Sequence, residues 1–262
     1  MAGLFKKYKI GLVLSGGGAR GLAHLGVMKA LDEKRIKIDI ISAASAGALA
    51  AAFYADGYVP EEILELFSSK KIFELIHFTV PRMGFLKVDG IKKLLKDNLK
   101  AKNIEDLKIP VFIAVTNFCE GKIEYRSEGN LVDALLASSC VPLLFQVAEI
   151  DKIPYIDGGV MDNLPIAPIR KKCRRCIAVH VNPVGRQENI KGLFQIAERA
   201  FHLALNSEII YKKAEVDLFI EPPKLADIGF LDMKKAHEIF NLGYEEAIRV
   251  IGTHKRFSSK NL

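Results

Sequence analysis

Between residues 10 and 55 one pattern occurs twice, and it restricts the fold more than any other feature of the chain. Ile10–Leu14 is a short apolar run that stops at Ser15-Gly16-Gly17-Gly18. Leu22, Leu25, Met28 and Leu31 then recur at helical spacing and predict a helix over Leu22–Lys34. Ile38–Ser42 is a second strand-like run, leading through Ser45 into alanine-rich Ala46–Ala55, a predicted helix stopped near Gly57 and Pro60. Strand, turn and helix twice over is the grammar of a parallel sheet, because parallel neighbours need a crossover that a helix supplies. Further strands are expected at Val111–Val115, Lys122–Arg126, Cys176–Val181 and Val216–Ile220. Two helices should close the chain, at Leu193–Tyr211 and Lys234–Ile251. In the second, Ala236, Ile239, Phe240, Gly243, Ala247 and Val250 share one face. The expected class is α/β: a mostly parallel central sheet with helices on both faces.

Half of the 262 residues are hydrophobic, enough for a sizeable core, and no linker or repeat divides them. We expect one domain over 1–262, with an insertion near 59–102. The net charge of +7 favours anionic partners, phospholipid headgroups among them, and no nucleic-acid motif accompanies it. Four cysteines are too few for a disulfide scaffold. Neither a signal-peptide pattern nor a bilayer-long apolar stretch is found, so the expected location is cytoplasmic, with peripheral contact to an anionic membrane.

Three short motifs carry chemistry. Ser45 lies between strand and helix in Ser42-Ala43-Ala44-Ser45-Ala46-Gly47. A tight turn there would lift the hydroxyl from the sheet edge toward a helix N-terminus, where N–H groups favour developing negative charge. Small neighbours two positions away allow the turn; Gly47 suits, and Ala43 adds one methyl to the Gly-x-Ser-x-Gly pattern. Taken alone, Ser45 reads equally well as a helix cap. Gly16-Gly17-Gly18-Ala19-Arg20-Gly21 follows a strand and opens a helix, so its N–H groups can form an anion cradle. That cradle suits an oxyanion or a phosphate. Gly16, Gly18 and Gly21 also fit the dinucleotide fingerprint, although Asp39 lies at the wrong end of its strand for a ribose. Asp157-Gly158-Gly159 is, by itself, an ordinary turn.

In this order the three motifs resemble the patatin-like phospholipase family, particularly its small bacterial members, over roughly residues 9–182. Ala137–Pro142 and Asp162-Asn163-Leu164-Pro165 look like the family too. The resemblance implies a three-layer α/β/α fold and a Ser–Asp dyad, with Ser45 as nucleophile and Asp157 as base. It implies an oxyanion hole from Gly16, Gly17 and Gly18, with Arg20, Gly47, Gly158 and Gly159 in support. No metal or cofactor is implied, and the implied substrate is a lipid ester, a phospholipid or lysophospholipid. Ala43 stands where the family usually has glycine. A relative of the same fold with a binding or regulatory role is therefore a second reading, and a dinucleotide-binding oxidoreductase a third.

His180, late in the chain at a strand end, is the candidate for a Ser–His–acid triad, though a structural role is the commoner one there. His24 is expected to pack or cap its helix, and His77, His202, His237 and His254 lack partners at metal-ligand spacing. Cys173-Arg174-Arg175-Cys176 has no second pair for zinc and precedes a strand, which points to two free thiols. The basic run Arg170–Arg175 suits either headgroups or a helix C-terminus. Residues 68–88, with Phe73 and Phe78, mix charge with large apolar side chains and are expected to form a lid or docking edge, or else a packed helix.

Overall fold

The computed structural model describes residues 7–69, 89–142, 144–186 and 192–254. In chain order the elements are β1 (Tyr8–Leu14), α1 (Leu22–Glu33), β2 (Ile40–Ala44), α2 (Ser45–Asp56), α3 (Pro60–Ser68) and α4 (Asp89–Asn98). There follow β3 (Val111–Asn117), β4 (Lys122–Arg126), α5 (Leu131–Ser139), β5 (Ala148–Ile150) and β6 (Ile153–Asp157). Two single turns, α6 (Gly159–Asp162) and α7 (Ala167–Arg170), lead to β7 (Cys173–Val179). The chain then forms α8 (Leu193–Asn206), α9 (Ile209–Ala214), β8 (Leu218–Ile220) and α10 (Ala236–Thr253).

The sheet is mostly parallel, as expected. β1 pairs in parallel with β2 and β7, β2 with β3, and β7 with β8. β4 and β6 run antiparallel to β3, and β5 antiparallel to β6. Alternate residues feed two cores. Leu12 and Leu14 of β1 enter a large cluster under α1, α2, α5 and α10, while Val13 enters a smaller one with Leu164, Ile166, Ile169 and Ile209. Helices therefore cover both faces, one much more thickly than the other.

α1 and α10 pack backbone against backbone. A methyl added at Gly26 would overlap the Phe240 carbonyl oxygen, and one at Gly243 the Ala23 carbonyl oxygen. Gly26→Ala is expected to destabilise the fold by about 2–4 kcal/mol in chemical denaturation, because the helices must move apart. An unchanged midpoint would mean that α10 slides freely on α1.

Two boundaries differ from the sequence reading by more than two residues. The helix expected over Leu193–Tyr211 breaks after Asn206, where Asn206 Nδ2 donates to the His202 carbonyl at 2.7 Å and Ser207 Oγ to the Ala204 carbonyl at 2.8 Å. Those side chains compete for the helix's own acceptors. β7 begins at Cys173, so both cysteines lie within the strand rather than before it, and all four cysteines of the chain are free thiols. Of the insertion, α3 and α4 bury Ile63, Leu64 and Leu95 in the large core. Residues 70–88, and so most of the expected lid, lie outside the described residues. Among the described residues, no helix is long and apolar enough to cross a membrane.

Candidate active site

The sheet register brings Ser45 and Asp157 together. Ala114 of β3 is paired with Ala44 on one side and Tyr125 on the other, and Val115 with Asp157 and Glu124. β4 occupies one edge of β3 across both positions, so β2 and β6 must share the other. β2 arrives parallel to β3 and β6 antiparallel, so the two run toward each other and end at adjacent residues. Ser45 follows the end of β2 and Asp157 ends β6. The Ser45 hydroxyl stabilises the charged form of the Asp157 carboxyl. Gly158 makes the junction possible, since a methyl there would overlap the Ala114 carbonyl.

The turn at Ser45 is strained. Its φ is 52°, in the left-handed region that a residue with a side chain seldom occupies. Ser138 holds it there: the Ser45 N–H donates to Ser138 Oγ at 2.8 Å, and that hydroxyl donates to the Ala114 carbonyl at 2.7 Å. Gly47 packs so closely that a Cβ would sit 2.5 Å from the Ser15 carbonyl oxygen. Ala43 keeps its strand pairing with Leu14 and Ile113, with its methyl fully buried. The sheet thus runs unbroken into the turn with alanine in that position.

The glycine loop lies against this turn; a Cβ at Gly16 would be 3.0 Å from that of Ser45. The three glycines differ in what they have free. The Gly16 N–H donates to the Asn163 carbonyl at 3.2 Å, and the Gly16 carbonyl accepts from Asn182 Nδ2 at 2.6 Å. Among the described residues, the N–H groups of Gly17 and Gly18 have no hydrogen-bond partner. Arg20 braces the loop from below, its Nε donating to the Ile228 carbonyl at 2.8 Å and its Nη1 lying 3.4 Å from His202 Nε2.

Asp157 is 4% exposed, and burial pushes its pKa up to about 7. The Ser45 hydroxyl and the Gly159 N–H, the latter 2.7 Å from Oδ1, limit the rise by stabilising the charged form. Its backbone is fixed by Thr116 Oγ1, which donates to its carbonyl at 3.0 Å, and by its own N–H to the Cys140 carbonyl at 3.0 Å. Burial pushes the Cys140 thiol up to about 12, so it stays protonated beside the carboxylate. Ser45 also lines an apolar cavity of about 150 Å³, walled by Leu22, Leu25, Leu49, Ile91, Phe145 and Phe230.

The other sequence candidates are engaged elsewhere. His180 Nδ1 lies 2.7 Å from Glu221 Oε1, and its Nε2 has no partner among the described residues. His24 Nε2 bonds the Ser15 carbonyl at 2.7 Å, and burial lowers its pKa to about 4. Asp39 accepts the N–H groups of Lys9 and Ile10, at 3.0 and 2.9 Å, at the far end of the sheet from the glycine loop. Arg170 reaches the Glu215 carbonyl at 2.6 Å and Asp217 at 3.7 Å. No His, Cys, Asp and Glu cluster among the described residues could hold a metal. Sequence reading gave Ser138 and Asn163 no role, although both lie in stretches it singled out; only their contacts with Ser45 and Gly16 disclose one.

Fold and site together define an α/β protein with a buried serine–aspartate pair beside a glycine loop. The profile of the patatin-like phospholipase family matches residues 12–169, and the chain belongs to that family. It is 27% identical over 279 residues to lysophospholipase NTE1 of Candida glabrata, covering 93% of this chain and 16% of that relative. An uncharacterized NTE family protein of Mycobacterium tuberculosis is 32% identical over 163 residues, covering 62% of this chain and 45% of that protein. The chain thus spans less than half the length of either relative. Among solved structures, VipD from Legionella pneumophila superimposes with a TM-score of 0.62 at 15% identity, over 95% of this chain and 67% of that one. That likeness is one of fold.

Proposed function

We propose that this protein is a serine lipid acyl hydrolase that cleaves the carboxylic ester of a phospholipid or lysophospholipid with a Ser45–Asp157 dyad. The observation that carries the reading is that Ser45, at the wall of an apolar cavity, is paired with the buried carboxyl of Asp157. A carboxylate whose proton affinity lies near neutrality is a usable base without a histidine. Ser45 Oγ attacks the acyl carbonyl while Asp157 takes its proton. The oxyanion is met by the N–H groups of Gly17 and Gly18, with Gly16 holding the loop in shape rather than donating. The proton on Asp157 passes to the departing lysolipid or alcohol oxygen. Water then attacks the acyl-enzyme, gives its proton to Asp157, and the fatty acid leaves as Ser45 recovers its hydrogen. The acyl chain occupies the cavity above Leu22 and Leu25. Arg20 keeps the loop on the Ile228 segment and does not touch the reacting atoms.

The lysophospholipase name of the Candida glabrata relative supports a lipid ester as substrate. The test is fatty-acid release from a panel of lysophospholipid, diacyl phospholipid, monoacylglycerol and a short-chain p-nitrophenyl ester. Release from at least one lipid, together with labelling by a fluorophosphonate probe, is expected. No turnover and no labelling would favour the second reading, a patatin-fold binding protein.

A further inference from the structure

An amphipathic helix on a protein surface ordinarily turns its apolar stripe inward. α8 does the reverse. Leu193, Ile196, Ala200 and Leu203 recur at three- and four-residue spacing and are exposed, the three larger ones by 83%, 54% and 46%. Among its described side chains, polar ones contact the protein. Arg199 Nη2 donates to the Gly185 carbonyl at 2.8 Å, and His202 Nε2 lies 3.2 Å from the Asn182 carbonyl. α9 continues the arrangement. Ile209 is buried and Lys212 Nζ is 2.5 Å from Asp162, while Ile210 and Tyr211 are each 74% exposed.

The two helices lie beside the candidate site. His202 touches Arg20 of the glycine loop, and Lys212 touches Asp162, in the turn that follows Asp157. Leu231, 48% exposed, lines the same cavity as Ser45.

We propose that the outer face of α8 and α9 is a docking surface for an anionic lipid bilayer, and that it presents the site to substrate still in the membrane. The proposal rests on the hydrolase reading for its orientation and on this face for its contact. Exposed apolar residues on this scale mark a surface that something covers. An apolar stripe with cations at its border suits the headgroup–acyl boundary, where the stripe enters and the cations meet anionic headgroups. Arg186, Lys213 and Lys234 are exposed and sit close in sequence to the exposed Val184, Tyr211 and Leu231. Glu208, also exposed, is 3.7 Å from Lys212, a cation it shares with Asp162. A second copy of the chain is the poorer occupant, because two chains of net charge +7 would repel.

The experiment is co-sedimentation of the full chain with phosphatidylcholine vesicles, with and without phosphatidylglycerol. Two paired variants, Ile196→Asp with Leu203→Asp and Ile210→Asp with Tyr211→Asp, are compared with wild type. All four positions are exposed, so the melting temperature is expected to hold, and either pair serves if the other is unstable. Vesicle affinity and hydrolysis of vesicle lipid should each fall at least about tenfold in the variants. Hydrolysis of a water-soluble short-chain ester should stay within about twofold of wild type, because the chemistry is untouched. Unchanged vesicle binding in both variants would overturn the proposal. So would a wild-type dimer in sedimentation velocity that the variants split. If binding is lost in the variants while wild type hydrolyses no ester at all, the docking surface stands and the hydrolase reading fails.

Discussion

Ser45→Ala is expected to lower kcat/KM for every ester substrate by about 10³-fold or more, and to abolish fluorophosphonate labelling. No other described serine combines Ser45's position at a strand-to-helix turn, its pairing with a buried carboxyl and its place in the cavity wall. Alanine removes the nucleophile and leaves the turn in place, because Ser138 grips the Ser45 N–H rather than its hydroxyl. Thermal stability should therefore change little. Ser45→Gly separates strain from chemistry. It should be equally inactive yet more stable by about 1 kcal/mol, since glycine accepts a φ of 52° without the steric penalty. Residual labelling of either variant would place the nucleophile elsewhere.

Asp157→Asn should lower hydrolysis by a comparable factor while making the protein more stable, two effects that a purely structural aspartate would not combine. The side chain keeps its shape, and its oxygen can still accept the Gly159 N–H. The base is lost. The stability gain follows from the sign of the pKa shift. The folded-state value is raised from 3.8 to about 7, so the folded protein holds a proton that the unfolded chain has released. Protonated Asp157 is tolerated at low pH. The penalty for burying its charge grows as pH rises through that window and is complete above about 7. Asparagine removes the penalty, so the variant should match wild type near pH 4 and exceed it by about 2–4 kcal/mol at pH 8. The same group sets the activity profile. Wild-type kcat/KM should fall about tenfold per pH unit below the pKa, since only the carboxylate can accept the serine proton. His180→Ala provides the contrast, with most hydrolysis retained because neither ring nitrogen bonds Ser45. Loss of turnover in His180→Ala with retention in Asp157→Asn would overturn the dyad.

The legible parts of this site were local ones. A serine at a strand-to-helix turn, three consecutive glycines after a strand and an Asp-Gly-Gly can each be read within a few residues, because each depends on backbone freedom and small side chains nearby. Ser138 was not legible. Its role rests on two hydrogen bonds, one to Ser45, 93 positions away, and one to Ala114, 24 positions away. The unequal roles of the glycines were hidden too, since Gly16 spends its N–H on Asn163. The exposed face of α8 would pass in sequence for a core stripe, because periodicity reports that a helix is two-sided and not which side meets the protein.

The sequence by itself determined the parallel α/β class, the elements that carry Ser45, the glycines and Asp157, and the family, because short-range periodicity and turn chemistry act within one segment. Only the tertiary structure decided that β2 and β6 share one edge of β3 and end against each other. That junction gives Asp157 its partner Ser45 and the burial that raises its pKa to about 7. Strand register and burial belong to the whole sheet, and a carboxylate's strength as a base depends on how far the assembled fold removes it from water.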